Sequence, residues 1–131
     1  MRRAYSHAFE PLAPVVPVSV TAPDPGRPKL LDGKLDTGAD ICAVPDFVIA
    51  ELALPPVGTV RAAGYAGELR EMAVYRVNVE IDGHVHRNVK ALSTRRPYAI
   101  IGRNVLRSYL LRLDGPKDRL ELERSGRSTR K

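Results

Sequence analysis

Leu35-Asp36-Thr37-Gly38-Ala39-Asp40 is the stretch on which the reading of this chain turns. An aspartate set directly after an apolar strand and followed by Thr and Gly presents its carboxylate on a tight turn. The glycine lets backbone N–H groups approach that carboxylate closely enough to hydrogen-bond it. Asp-Thr-Gly is also a common turn, so the tripeptide takes its meaning from what surrounds it.

Upstream, six of the 11 prolines fall in the first 28 residues, which argues against a helix there. Residues 1–14 are expected to form an irregular or extended arm. Val15 to Thr21 is β-branched and strand-like, with Pro17 marking it as an edge strand or a strand start. Ala22 to Pro28 is turn chemistry, and Lys29 to Leu35 forms a second strand, making a hairpin that leads into Asp36.

Downstream, Pro45 to Leu54 reads as one short helix, with Phe47, Ile49, Ala50 and Leu54 on a shared face. Val77, Val79 and Ile81 alternate with Asn78, Glu80 and Asp82, the period of a half-buried strand. Asp82-Gly83 is a strong hairpin signal, and His84 to Leu92 runs back along that strand. Arg103 to Tyr109 reads as a second short helix with Val105 and Leu106 turned inward. Leu110–Leu113 and Leu120–Leu122 flank the turn Asp114-Gly115-Pro116 as a closing hairpin. Many short strands with regular turn signals predict a mostly β domain, a small barrel or sandwich.

The 131 residues suffice for one domain and not for two independent cores. Composition, 44% apolar and 27% charged, is that of a folded globular chain. A single cysteine, Cys42, excludes an internal disulfide framework and fits a reducing compartment. No run approaches the roughly 18 uncharged apolar residues that a membrane span needs. Met1-Arg2-Arg3 resembles a signal-peptide opening, but Glu10 and the prolines that follow interrupt the apolar stretch. A cytoplasmic, soluble protein is expected.

Two further motifs lie in order after Asp36. Val60 to Arg70 is a hairpin tipped by Gly64-Tyr65-Ala66-Gly67. Tyr98-Ala99-Ile100-Ile101-Gly102-Arg103-Asn104-Val105-Leu106 sets two apolar residues and a glycine at a strand-to-helix junction. With the Asp82-Gly83 hairpin between them, the order resembles that of the retroviral-type (retropepsin-like) aspartic proteases over about Val15 to Leu122. The resemblance implies a small closed β-barrel with a flap hairpin and one or two short helices. It occupies residues 15–123, between the arm and a basic, disordered tail at 124–131.

The same resemblance implies roles. Asp36 is the catalytic carboxylate, Thr37 hydrogen-bonds across to a partner chain, and Gly38 contacts both carboxylate and substrate. Ala39 and Asp40, with the flap tip Gly64, Tyr65, Ala66 and Gly67, are the implied substrate-contacting residues. Ile100, Ile101 and Gly102 brace the catalytic turn, and Arg103 pairs with Asp40, a structural role that its planar fork suits. Aspartic protease chemistry needs two carboxylates sharing one proton, and this chain has one Asp-Thr-Gly. The resemblance therefore implies a homodimer with an extended peptide or unfolded protein as substrate, and neither metal nor cofactor. The viral enzymes end soon after the helix; here residues 114–131 continue, so different dimer contacts are expected.

Other signals point elsewhere. Cys42 has no positioned histidine in sequence and reads as a small buried filler. His84 and His86 share a strand face without a third ligand and read as exposed hairpin histidines rather than a metal site. The net charge of +6, with Arg2-Arg3, Arg95-Arg96 and the tail, suggests phosphate contacts. Against nucleic-acid binding, 5 Tyr, 2 Phe and no Trp provide no stacking ladder. A catalytically silent peptide-binding module of the same fold is the alternative function.

Overall fold

Val16, Val18 and Val20, alternate residues of β2 (Val15–Thr21), are buried, and they set the inner face of a closed barrel. The computed structural model describes residues 1–24, 26–63 and 67–124. β2 forms the expected antiparallel hairpin with β3 (Lys29–Leu35), Val15 opposite Lys34. β8 (Ala99–Ile101) lies parallel to β3, with Leu35 opposite Ile101. β4 (Cys42–Pro45) meets β8 at Ala43 and runs parallel to β7 (His84–Thr94). β6 (Leu69–Ile81) pairs antiparallel with β7 and returns to β2 through Ser19–Thr21, closing the ring of six strands.

β2 is therefore a closing strand rather than an edge. Pro17 is tolerated because pairing with β6 begins only at Ser19, so its missing N–H breaks no ladder on that side. Among the described residues the core holds no buried charged or polar side chain.

Two pieces sit outside the barrel. β5 (Gly58–Ala63) extends β6 as a two-stranded arm, Ala63 opposite Leu69 at its far end. A second sheet orders β1 (Arg2–Ala4), β10 (Arg119–Arg124) and β9 (Tyr109–Asp114). The arm, expected to be irregular or extended, thus contains a short strand. The Met1 amine donates to the Leu122 carbonyl at 2.9 Å, and the Leu122 N–H donates back to the Met1 carbonyl at 2.8 Å. The tail beyond Arg124 lies outside the described residues.

The helices are shorter than the periodicity predicts. α1 (Asp46–Glu51) buries Val48 and leaves Phe47 44% exposed, so the apolar face differs from the one expected. Six residues make under two turns, and the contact face is set by the barrel against which Val48 packs. α2 (Arg103–Leu106) does turn Val105 and Leu106 inward, but Tyr109 already begins β9. No helix among the described residues is long and apolar enough to cross a membrane.

Asp82 and Gly83 both take positive φ, 50° and 82°, as a tight hairpin turn between β6 and β7 requires. Further along, Val77 faces Val89 while Val79 faces His86, so β7 carries one extra residue. Asn88 absorbs it at φ 53°, its N–H donating to Asn78 Oδ1 at 3.0 Å. Without this bulge, alternation from the buried Val89 and Ala91 would turn Arg87 and Val85 inward. Instead Val85 is exposed, and His84 and His86 share the face that meets Tyr109. His86 Nε2 lies 2.7 Å from the Tyr109 hydroxyl, correcting the expectation of two exposed histidines.

Candidate active site

Asp36 is the first residue past β3, where the chain leaves the barrel. Its backbone N–H donates to the Ile101 carbonyl at 3.0 Å, which continues the β3–β8 ladder by one bond. The turn then closes on itself. The Gly38 N–H donates to Asp36 Oδ1 at 2.9 Å, and the Ala39 N–H to the Asp36 carbonyl at 3.2 Å. A glycine N–H aimed at a carboxylate oxygen fixes the orientation of that carboxylate.

The segment after β8 holds the turn from behind. The Arg103 N–H donates to the Ala39 carbonyl at 2.8 Å and the Asn104 N–H to the Asp40 carbonyl at 3.2 Å. The Arg103 guanidinium forms an ion pair with Asp40 and donates through Nη1 to the Thr37 carbonyl at 2.6 Å. Gly102 lies so close to the turn that a Cβ there would stand 2.7 Å from the Ile41 carbonyl carbon and oxygen and 2.9 Å from the Ala39 oxygen. No side chain fits that gap.

Asp36, Thr37, Gly38, Ala39, Asp40, Ile101, Gly102 and Arg103 are thus brought into one hydrogen-bonded unit. Ile100 lies on the outward face of β8, between the inward Ala99 and Ile101. Thr37, Gly38 and Asp40 are exposed. Gly64, Tyr65 and Ala66 lie outside the described residues; Gly67, at φ 85°, starts the return of the arm.

A second layer was not legible in the motifs. Cys42 Sγ accepts from the Gly102 N–H at 3.3 Å and donates to Asn104 Oδ1 at 3.2 Å. Asn104 Nδ2 in turn donates to the Lys90 carbonyl at 2.9 Å, tying α2 to β7. Burial pushes the Cys42 thiol up to about 11, against a smaller opposing effect of the Gly102 N–H, so it stays protonated at neutral pH. It is a hydrogen-bonding filler rather than a nucleophile.

No protein-family model matches the chain, and no curated protein matches it in sequence. Solved structures do. A retropepsin-like aspartic protease from Rickettsia conorii superposes with a TM-score of 0.63 at 17% identity, over 93% of this chain and 88% of that one. The EIAV protease, in an inhibitor complex, gives 0.57 at 23%, over 72% and 86%. The foamy viral protease-reverse transcriptase gives 0.60 at 21%, over 75% of this chain, which spans only 12% of that one. This is the retropepsin-like fold. Outside the barrel, the terminal sheet β1–β10–β9 pairs the two ends of the chain with each other.

Proposed function

We propose that the protein is an aspartic endopeptidase acting as a homodimer, with Asp36 of each chain forming the catalytic dyad. The observation that carries this reading is the Asp36 turn, a carboxylate oriented by the Gly38 N–H and braced from behind by residues 101–104. The exposure of Thr37 and Gly38 leaves that turn open to a second copy, as a two-fold axis between the aspartates requires. The retropepsin-like fold supports the same reading.

Two carboxylates a few ångströms apart share one proton, because both cannot readily ionise. The ionised Asp36 takes a proton from water as its oxygen attacks the scissile carbonyl carbon. The protonated Asp36 of the other chain donates to the carbonyl oxygen. The tetrahedral diol then collapses: the amide nitrogen takes the proton that the first Asp36 gained from water, one diol hydroxyl returns a proton to the Asp36 that had donated, and the C–N bond breaks, leaving the dyad with its one shared proton. Water is the nucleophile throughout, so the steps call on neither metal nor acyl-enzyme. The substrate lies extended beneath the β5–β6 arm of each chain, which serves as the flap, and bonds through its main chain.

The test is cleavage of a denatured protein mixture by wild type and Asp36→Asn across about pH 3 to 8, the window in which a carboxylate dyad can hold one proton. Activity in wild type alone, rising faster than linearly with dilute enzyme, is expected. Equal turnover by the Asn variant overturns the mechanism. A stable dimer without activity in either leaves a peptide-binding module.

A further inference from the structure

Lys34 lies on β3 two residues before Asp36, and strand alternation places it on the face opposite the buried Gly33 and Leu35; Asp36 follows just past the strand, its N–H continuing the ladder to Ile101. The register partner of Lys34, Ile100, lies on the same outward face of β8, and Ala43 follows on β4. The floor beside the catalytic carboxylate is therefore Lys34, Ile100 and Ala43. At about 3.3 Å per residue, the Cα atoms of Lys34 and Asp36 are roughly 7 Å apart, one side chain's reach.

The Lys34 ammonium stands 5.5 Å from the centroid of the Phe9 ring and 5.9 Å from that of Tyr98. The two rings meet edge-on, with centroids 4.8 Å apart and planes at 70°. Phe9 comes from the N-terminal arm and Tyr98 from the approach to β8, so three separate segments hold one cation. The described residues offer that ammonium no carboxylate within ion-pair distance. Aromatic faces orient a cation without neutralising it, and all three side chains are only half-buried.

We propose that Lys34, framed by Phe9 and Tyr98, is a specificity-determining subsite for an acidic side chain, Asp or Glu, on the substrate next to the scissile bond. This rests on the reading of Asp36 as the catalytic carboxylate. An extended peptide crossing Asp36 presents alternate side chains to the floor, and the one over Lys34 meets a positive charge with no carboxylate of the described residues within ion-pair distance. A carboxylate there completes a charge-assisted hydrogen bond, while a Lys or Arg meets repulsion. The exposed Arg95, three residues before Tyr98, gives the approach the same sign.

The experiment digests denatured casein and serum albumin with wild type, Lys34→Met and Lys34→Glu, and reads the cut sites by mass spectrometry. Asp and Glu beside the cut should be enriched about tenfold over background in wild type, the size of a charge-assisted contact. That enrichment should vanish in Lys34→Met and give way to Lys and Arg in Lys34→Glu. Exchanging Phe9 for Leu should reduce it. Equal acidic frequencies in all three proteins overturn the subsite while leaving the peptidase standing.

If wild type makes no Asp36-dependent cuts, the peptidase reading falls, and the subsite is decided by binding. Labelled peptides of Ala, Val and Phe carrying one central Glu or Gln are then titrated onto the Asp36→Asn protein. Tighter binding of the Glu peptide that is lost in Lys34→Met supports it. Equal affinity, or no binding, overturns it.

Discussion

Cys42 Sγ and Asn104 Oδ1 lie 3.2 Å apart, joining β4 to α2 directly behind the Asp36 turn. The thiol takes the Gly102 N–H on one side and gives its own proton to the amide on the other. Asn104 in turn donates through Nδ2 to the Lys90 carbonyl. The Asp36 turn is thus seated on a chain of hydrogen bonds that reaches the far strand of the barrel.

Breaking that chain should cost stability in proportion to what is left unpaired. Asn104→Ala strands both the thiol and the Lys90 carbonyl, for an expected loss of about 1–3 kcal/mol in urea unfolding. Cys42→Ser keeps a donor and an acceptor and should lose less than Asn104→Ala. The thiol itself, raised to about 11 by burial and 1% exposed, should resist iodoacetamide at pH 8 in the folded protein and react once urea is added. Rapid labelling of the native chain would contradict the buried geometry.

Gly102→Ala should cost a similar amount for a different reason. The clash is with backbone atoms of Ile41 and Ala39, not with a side chain that can swing away, so the turn itself must shift. Overpacking of this kind costs about 1–3 kcal/mol. The two N–H bonds from Arg103 and Asn104 would be stretched by the same movement. Peptide cleavage should fall at least as steeply as stability, read by comparing activity with melting temperature.

Arg103 separates two kinds of contact. Its ion pair with Asp40 is exposed, with 54% and 83% of the two side chains accessible, and such pairs contribute about 0–1 kcal/mol. Its bond to the Thr37 carbonyl is a charge-assisted hydrogen bond to the Asp36 turn. Arg103→Lys keeps the charge but loses the fork, and should restore little of what Arg103→Ala removes. Arg87→Ala, at an exposed strand position, should change the melting point least of the three. Equal melting points across the set would mean the fork does nothing.

Local patterning carried much of this fold. The alternation in β2 and β6, the Asp82-Gly83 turn, and the motif that places Ile101 beside Leu35 are all features of contiguous residues. Contacts between segments far apart in sequence were not legible. Arg2-Arg3-Ala4 has no strand pattern of its own and becomes β1 only because β10 is there to pair with it. Phe9, Lys34 and Tyr98 converge from three segments, as do Cys42, Lys90 and Asn104. The histidines were misplaced for a sharper reason. One inserted residue at Asn88 reverses every side chain between it and the Asp82-Gly83 turn relative to Val89 and Ala91, and nothing local in Arg87-Asn88 announces a bulge.

That reversal yields the last prediction. His86 faces Tyr109, His84 and Arg124, and its pKa is lowered to about 4, first by burial and then by the positive charges of His84 and Arg124. Below its ordinary value of about 6.5 the unfolded chain binds a proton that the folded chain refuses, so stability falls as pH drops from about 6.5 to about 4. With the ring about half exposed, solvent screening reduces the effect to about 1–2 kcal/mol. His84 is shifted in the same direction, again first by burial. His86→Gln removes the titration while keeping a partner for the Tyr109 hydroxyl. Urea unfolding at pH 7, 5.5 and 4 should show wild type losing about 1–2 kcal/mol more than the Gln variant over that range. Because Tyr109 begins β9, the loss should appear first as loosening of the terminal sheet, in faster amide exchange along Tyr109–Asp114. Parallel pH profiles for the two proteins would show that the folded chain protonates His86 as readily as the unfolded one.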